Sequence, residues 1–272
     1  MKKEIAFSKM SAAGNDFVLI DNRKKAVAKE LKRFARRICD RKDGVGADGM
    51  ILVEASKKAD FKMRIFNRDG SEAEMCGNGA RACAQFAYDN RIAGGSMTFQ
   101  TLAGMIEARV MKDGVSLKMV SPKNIRTGIA IAAHGEKHEF QSVDTGVPHA
   151  VLFLSKLDDI DVDKCGCAVR HHKEFSPRGT NVNFARVIDK HTIEVRTYER
   201  GVEAETLACG TGSTASAILA AELKGCASPV NVRVRSGDIL TISFKKAGSG
   251  QYEDVFLKGP AVETFKGTLS RK

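Results

Sequence analysis

Cys76-Gly-Asn-Gly-Ala-Arg-Ala-Cys-Ala84 recurs 133 positions later as Cys209-Gly-Thr-Gly-Ser-Thr-Ala-Ser-Ala217. Upstream matches keep the same order at nearly the same offset. Lys62-Met-Arg-Ile-Phe-Asn-Arg-Asp-Gly70 resembles Glu194-Val-Arg-Thr-Tyr-Glu-Arg-Gly201, with Arg64 and Arg196 132 positions apart. Gly46-Ala-Asp48 stands opposite Gly179-Thr-Asn181, and Gly14-Asn-Asp-Phe-Val18 opposite Gly146-Val-Pro-His-Ala150. A period of this length is far too long for a solenoid and fits a duplicated domain.

Each half reads as short strands plus two helices. Strands are expected at Glu4–Met10, Phe17–Asp21, Met50–Glu54, Lys62–Asn67, Met97–Leu102, Ile106–Met111 and Val115–Val120, and alternation marks Thr192–Thr197 and Val230–Arg235. Asp113-Gly114 and Ser236-Gly237-Asp238 are turn signals. Outer helices are expected over Lys25–Asp40 and Asp163–His172, and inner ones over Gly79–Asn90 and Gly212–Lys224. The last is apolar nearly all round (Ala215, Ala217, Ile218, Leu219, Ala220, Ala221, Leu223), as a buried helix is. The expected fold is α/β in the broad sense, α+β in detail. Two similar, pseudo-symmetric domains each wrap a mostly antiparallel sheet or barrel around a central helix. The boundary is placed near Ser121-Pro122, giving halves of 1–121 and 122–262, with the cleft between them.

The 272 residues suffice for two such domains. Apolar residues make up 43% and charged residues 28%, a globular balance. No apolar run reaches the roughly 18 residues of a membrane-spanning helix. The N-terminus lacks the apolar core of a secretory signal, so the expected address is the cytoplasm. The net charge of +11 is spread along the chain, with a concentration at Lys24–Lys42. There Ala28, Leu31, Ala35 and Ile38 recur at helical spacing, so the charges read as a solvated helix face. No tryptophan and three tyrosines offer few stacking platforms for nucleic acid. The positive field suits an acidic or zwitterionic small molecule.

Seven cysteines at irregular spacing do not make a disulfide framework. A cysteine at a helix N-terminus meets unpaired backbone N–H groups and the positive end of the helix dipole, which favour its thiolate. The same N–H groups hold a carboxylate, and flanking glycines let the backbone approach a ligand. Each half therefore offers a thiol and an anion cradle, and pseudo-two-fold symmetry would set the thiols face to face. One thiolate removes the proton beside a carboxylate and the other thiol returns one from the opposite face. The result is racemisation or epimerisation without metal or organic cofactor. Cys83 is replaced by Ser216 in the second copy, so Cys83 is read as packing, like Cys39 and Cys226.

Two other patterns are set aside. Gly44-Val-Gly-Ala-Asp-Gly49 fits G-x-G-x-x-G but follows a helix and precedes a strand, the reverse of a dinucleotide site. Cys165-Gly-Cys167 with His171-His172 is too tightly spaced for the usual zinc pattern and reads as a helix. No metal is expected.

The chain resembles the diaminopimelate epimerase family over nearly its whole length. The resemblance rests on Gly14-Asn-Asp-Phe17, Gly44–Gly49, Arg64-Ile-Phe-Asn-Arg-Asp-Gly70, Cys76-Gly-Asn-Gly-Ala-Arg81 and Pro148-His149. It also rests on Arg178-Gly-Thr-Asn-Val-Asn-Phe184, Tyr198-Glu-Arg-Gly201 and Glu205-Thr-Leu-Ala-Cys-Gly-Thr-Gly212. It implies conversion of LL-2,6-diaminopimelate to the meso form, on the way to lysine and peptidoglycan, by a cofactor-independent two-cysteine mechanism, often in a homodimer. Cys76 and Cys209 would be the acid–base pair, with Gly77, Asn78, Gly210 and Thr211 around the reacting carboxylate. Asn15, Asn67, Asn181, Glu199 and Arg200 would contact the substrate and read its distal end. His149 and Glu199 match positions that tune the thiols. The resemblance also implies that about Glu263–Lys272 returns to the first half. Gly49 and Val147 depart from the Gln and Asn that other members carry there. The rival reading is a racemase of proline, hydroxyproline or histidine on the same scaffold.

Overall fold

A computed structural model describes residues 4–133 and 136–270; Met1–Lys3 and the last two residues of the expected terminal strand lie outside it. Chain contacts divide the molecule into two units. One runs up to Leu117 and resumes at Gly259; the other is Lys118–Lys258.

The first unit contains β1 (Glu4–Ala12), β2 (Asn15–Asp21), α1 (Leu31–Cys39), β3 (Gly49–Glu54), β4 (Phe61–Asn67), β5 (Glu72–Ala73), α2 (Gly77–Asp89), β6 (Ser96–Thr101), β7 (Gly104–Met111) and β8 (Gly114–Lys118). The second contains β9 (Lys123–Ala133), β10 (Glu136–Asp144), β11 (Pro148–Phe153), α3 (Val162–Arg170), β12 (Asn181–Asp189), β13 (Thr192–Glu199), β14 (Ala204–Thr206), α4 (Gly210–Leu223), β15 (Val230–Arg233), β16 (Ile239–Gly248) and β17 (Gln251–Gly259). The last strand is β18 (Val262–Ser270).

The two paths through the sheet are the same. β1–β2 and β10–β11 are antiparallel, and β2–β3 and β11–β12 are parallel across an outer helix. β3–β4 and β12–β13 are antiparallel. An inner helix then leads to a strand parallel to the fourth, β6 on β4 and β15 on β13. In the second unit β9 flanks β10; in the first that place beside β1 is filled by β18. The C-terminal strand thus supplies the member that the N-terminal copy lacks in sequence.

Sequence placed both unit boundaries four residues later than they lie. Met119 N–H bonds the Val255 carbonyl at 2.8 Å, which ties the residues before Pro122 into the second unit. At the other junction Gly259 packs on the β7–β8 turn, leaving no room for a Cβ at Gly114. The first outer helix is also shorter than expected. Asn22 Oδ1 accepts from Val27 N–H at 2.8 Å, and Lys25 and Glu30 have positive φ, so residues 25–30 form a loop. Val27, not Ala28, is the buried residue there.

Each unit has two apolar layers. Outside, α1 packs with Val18, Met50, Leu52 and Phe66, and α3 with Ala150, Val182, Phe184 and Tyr198. Inside, α2 touches β1, β2, β3, β4, β7 and β18, and α4 touches β10, β11, β12, β13, β15 and β16. Residues Gly212–Ala220 of α4 are all buried, including Ile218 and Leu219, each worth about 1.5–3 kcal/mol by transfer from water. Cys39, Cys83 and Cys226 are buried as packing residues, and burial pushes their thiols up, Cys39 to about 12.

The two set-aside motifs have structural explanations. After α1 the chain turns back, and the N–H groups of Gly44, Val45, Gly46 and Ala47 bond the carbonyls of Asp40, Ile38 and Cys39. Those donors cap a helix and are not presented to a phosphate. Cys165 faces the apolar core while Cys167 is exposed. Gly166 between them allows α3 to rest on Tyr198, whose side chain a Cβ would overlap. Gly166→Ala is therefore expected to destabilise the protein by about 1–3 kcal/mol in urea titration, whereas Cys167→Ala should be close to neutral. Equal losses would mean that the motif acts as a unit.

Candidate active site

The two repeated cysteines occupy the same structural position. Each ends a short hairpin and caps an inner helix. Cys76 has extended backbone (φ −143°, ψ 122°), its carbonyl accepts from Ala80 N–H at 2.7 Å, and its Sγ accepts from Gly79 N–H at 3.4 Å. Cys209 has φ −122° and ψ 113°; its carbonyl accepts from Ser213 N–H at 2.9 Å, and its Sγ lies 3.4 Å from Thr211 Oγ1. Both thiols thus sit at the positive end of a helix. The hairpins before them are clamped alike. Arg64 grips Glu72 through Nε and Nη2 at 2.7 and 2.8 Å, and Arg196 grips Glu205 at 2.8 and 2.8 Å. These bidentate pairs fix the last turn of chain before each cysteine.

The glycines divide their roles in a way that sequence had merged. A Cβ on Gly79 would meet Ile65 and Ile51 at 3.0 and 3.2 Å, and one on Gly212 would overlap Asn183 Oδ1. The second glycine of each motif therefore lets the helix settle on the sheet behind it. The first is different: nothing lies within 4 Å of the Cβ position of Gly77, and only Leu257 lies near that of Gly210, at 3.0 Å.

In the first unit, Asn78 lies on the opening turn of α2 and Asn15 at the start of β2. They meet directly: Asn78 Nδ2 donates to Asn15 Oδ1 at 2.8 Å. Buried Arg81 donates to Asn78 Oδ1 at 2.7 Å, and Asn15 Nδ2 donates to Asp48 Oδ2 at 3.0 Å. An Arg–Asn–Asn–Asp chain results whose donor direction is fixed at both ends, since guanidinium only donates and carboxylate only accepts. Beyond it Arg41 bridges Asp48 and Asp16, and Lys9 pairs with Asp16 at 2.8 Å and also donates to the Gly46 carbonyl. Burial opposes ionisation of Asp16, but Arg41 and Lys9 outweigh it and bring its pKa down to about 2. Asn67 stands apart from this chain, at the end of β4, donating to Ser71 Oγ at 3.0 Å. Gly49 opens β3, where a side chain would meet the Phe66 carbonyl at 2.9 Å.

In the second unit, Asn181 and Arg200 are joined: Asn181 Oδ1 accepts from Arg200 N–H at 2.8 Å, and its Nδ2 donates to the Pro148 carbonyl at 3.3 Å. Glu199 ends β13 beside them, and burial raises its carboxyl above the usual range. Thr211 is tied to the loop that carries Val147, because Thr145 Oγ1 donates to the Thr211 carbonyl at 3.1 Å. His149 on β11 is fully buried and paired with Asn183 at 3.2 Å. Burial, aided by Arg200, lowers its pKa to about 3.

Comparison with known proteins accounts for this twice-built arrangement. The sequence model described as diaminopimelate epimerase matches residues 7–125 and 141–262. The chain is 45% identical to the diaminopimelate epimerase of Aquifex aeolicus, with 98% of each chain covered. It is 42% identical to that of a Hydrogenobaculum species, covering 97% of this chain and 98% of the relative. The chain belongs to the diaminopimelate epimerase family. It is thereby an isomerase. The fold extends further. A Bacillus anthracis phenazine biosynthesis protein of the PhzF family superposes with a TM-score of 0.74 at 17% identity, over 98% of this chain and 99% of the other. A probable proline racemase from Agrobacterium radiobacter gives 0.69 at 14% identity, over 98% and 93%.

Within each unit the expected site residues fall into small groups. Cys76, Gly77, Asn78 and Asn15 gather at the start of α2; Cys209, Gly210 and Thr211 gather at the start of α4; Asn181, Glu199 and Arg200 gather at the ends of β12 and β13. Sequence reading did not single out Asp48, Arg81, Asn183 or Thr197 as supports for these groups. Asn183 and Thr197 carried a signal: at an offset of 132 they align with Ile51 and Ile65, polar against apolar.

The glycine geometry has a direct consequence. Gly79→Ala should lose about 1–3 kcal/mol of stability through overpacking, while Gly77→Ala should stay within about 0.5 kcal/mol. Urea unfolding of both variants checks this, and equal losses would contradict the assignment of Gly77 to an unpacked edge.

Proposed function

We propose that the chain interconverts LL-2,6-diaminopimelate and its meso form, with Cys76 and Cys209 as the acid–base pair. The observation that carries this reading is the repeated construction itself: a cysteine in the N-cap position of a largely buried helix, behind an Arg–Glu-clamped hairpin, in both units. In one direction the thiolate of one cysteine takes the α-proton, and the thiol of the other delivers its proton to the opposite face. One thiol is consumed and one formed, so the reaction leaves the pair with its roles exchanged and needs no metal or organic cofactor.

The first-turn residues Gly77, Asn78, Gly210 and Thr211 serve the carboxylate at the reacting carbon, where helix N-termini stabilise the developing negative charge. Asn15, Asn67, Asn181, Glu199 and Arg200 serve the distal amino-acid end, whose carboxylate and ammonium call for both donors and acceptors. His149 and Glu199 set the electrostatics near the thiols. The reading places the enzyme before lysine and peptidoglycan synthesis, in the cytoplasm, as a homodimer.

The decisive measurement is NMR of α-hydrogen exchange in deuterium oxide over a panel of diaminopimelate, proline, hydroxyproline and histidine. Exchange and inversion are expected for diaminopimelate alone, and turnover of another member would transfer the assignment to that substrate. Cys76→Ala and Cys209→Ala should each abolish inversion, with Cys83→Ala nearly silent. The two losses should be far from additive, because the thiols act as a unit.

Val147 offers a finer test. If its loop faces the distal end of the substrate, Val147→Asn adds one hydrogen bond made equally in ground and transition states. A neutral bond of roughly 0.5–1.5 kcal/mol lowers KM by at most about tenfold and leaves kcat little changed. A collapse of kcat with KM unchanged would move the loop to the thiol end, a possibility made concrete by the Thr145–Thr211 bond.

A further inference from the structure

The duplication provides an internal comparison beneath the two inner helices. At an offset of 132, Phe17, Ile51 and Ile65 of the first unit align with His149, Asn183 and Thr197 of the second. Strand registers give the same correspondence. Phe17 lies opposite Gly49 as His149 lies opposite Asn181, and Ile51 pairs with Ile65 as Asn183 pairs with Thr197. The glycines above them agree as well, since Gly79 abuts Ile51 and Ile65 while Gly212 abuts Asn183 and Thr197. All six side chains are buried. One copy fills this place with hydrocarbon; the other fills it with an imidazole, an amide and a hydroxyl. The fold is satisfied by the apolar set, and a buried polar set is costly unless fully bonded. The polar set therefore points to a role beyond packing.

Its hydrogen bonds have a definite direction. Asn183 Nδ2 donates to the Ala150 carbonyl at 3.0 Å, and a carbonyl oxygen only accepts, so the amide cannot be turned round. Thr197 Oγ1 donates to Asn183 Oδ1 at 2.9 Å and completes the other side. The second Nδ2 hydrogen is then presented to His149 Nδ1 at 3.2 Å. That nitrogen must offer its lone pair, so the proton of the neutral ring sits on Nε2. His149 Nε2 is buried with no hydrogen-bond partner among the described residues.

We infer that Asn183, braced by Thr197, is a positioning residue that fixes His149 as the Nε2–H tautomer, so that His149 enters the reaction as a hydrogen-bond donor and not as a proton acceptor. Its Nε2–H is a donor held ready in a water-poor place, suited to negative charge that develops on the substrate in the transition state. The first unit, with Phe17 at this position, offers no counterpart, so the two copies contribute unequally to a reaction that is formally symmetric. The tautomer stands on hydrogen bonding alone; only its catalytic consequence rests on the epimerase reading above.

Nitrogen-15 NMR of histidine-labelled protein at neutral pH tests the tautomer, with the His149 signals assigned by their loss in His149→Gln. Wild type should show a protonated Nε2 and an unprotonated Nδ1; a protonated Nδ1 would overturn the proposal. Asn183→Asp keeps the shape but presents only acceptors, so it should move the ring proton to Nδ1. Its kcat should fall on the order of 100-fold, the loss typical of one such donor, with little change in KM. A shifted tautomer with undiminished kcat would leave the lock in place and refute its catalytic use. If Asn183→Asp does not fold, the wild-type spectrum still decides the tautomer, and Thr197→Val, of nearly equal volume, tests the brace. It should broaden or split the His149 signals, and an unchanged spectrum would remove Thr197 from the device.

Discussion

Everything at the candidate site depends on one close approach, that of an inner helix to the sheet behind it at Gly79 and Gly212. A side chain at either position would meet the strands: Ile65 and Ile51 in one unit, Asn183 in the other. With hydrogen there instead, the first turn of the helix comes down onto the strands, and the residue three positions earlier becomes the cap. That residue is a cysteine in both copies. The cap thiol then lies at the helix's positive end, and the Arg64–Glu72 and Arg196–Glu205 pairs hold the incoming chain. The chemistry proposed for this protein needs a thiol in that electrostatic setting, and packing of a hydrogen atom is what creates it.

Duplication then produced two copies under different demands. The outer layers stayed alike, a helix over a parallel strand pair and an apolar cluster in each unit. The places that touch the helix starts diverged. Beneath α2 the fill is isoleucine and phenylalanine, whereas beneath α4 it is threonine, asparagine and histidine. Above the sheet the first unit arranges its amides in a chain running from Arg81 to Asp48, and the second attaches Asn181 to the backbone of Arg200. In both, charged or backbone groups dictate which way each amide points. The substrate proposed above, with two amino-acid heads, would call for such fixed polarity, because its carboxylates and ammonium groups cannot be exchanged without loss of hydrogen bonds.

The positive charge of the chain has a similar division of labour. Much of it is spread on outer surfaces, as on α1, whose buried face is only Ala35, Ile38 and Cys39. A few cations are structural: Arg41 and Lys9 neutralise the Asp16–Asp48 pair, and Arg81 is wholly inside. These hold the loops around Asn15 in place, so the net charge is no guide to which cations serve a ligand.

The sequence alone determined the duplication, the two cysteines at helix starts, the buried core of α4 (though its end leaves Leu223 exposed and Ala221 half-buried) and the family. These follow from local pattern: a repeat at fixed offset, glycine spacing and apolar periodicity survive in one dimension. It misplaced the start of α1, because Asn22 reaches forward five residues to hold Val27 in a loop, a side-chain bond that periodicity does not register. It also treated both glycines of each motif as ligand-facing, although one of each pair faces the sheet. Only tertiary structure decided what lies under each glycine, which amides meet, and that Asn183 and Thr197 stand behind His149. Those facts depend on strand registers between residues far apart in the chain, and hydrogen-bond direction has no signature in residue order. The physical reason is that patterning fixes which face of an element is buried, while function here depends on which atom meets which across two buried faces.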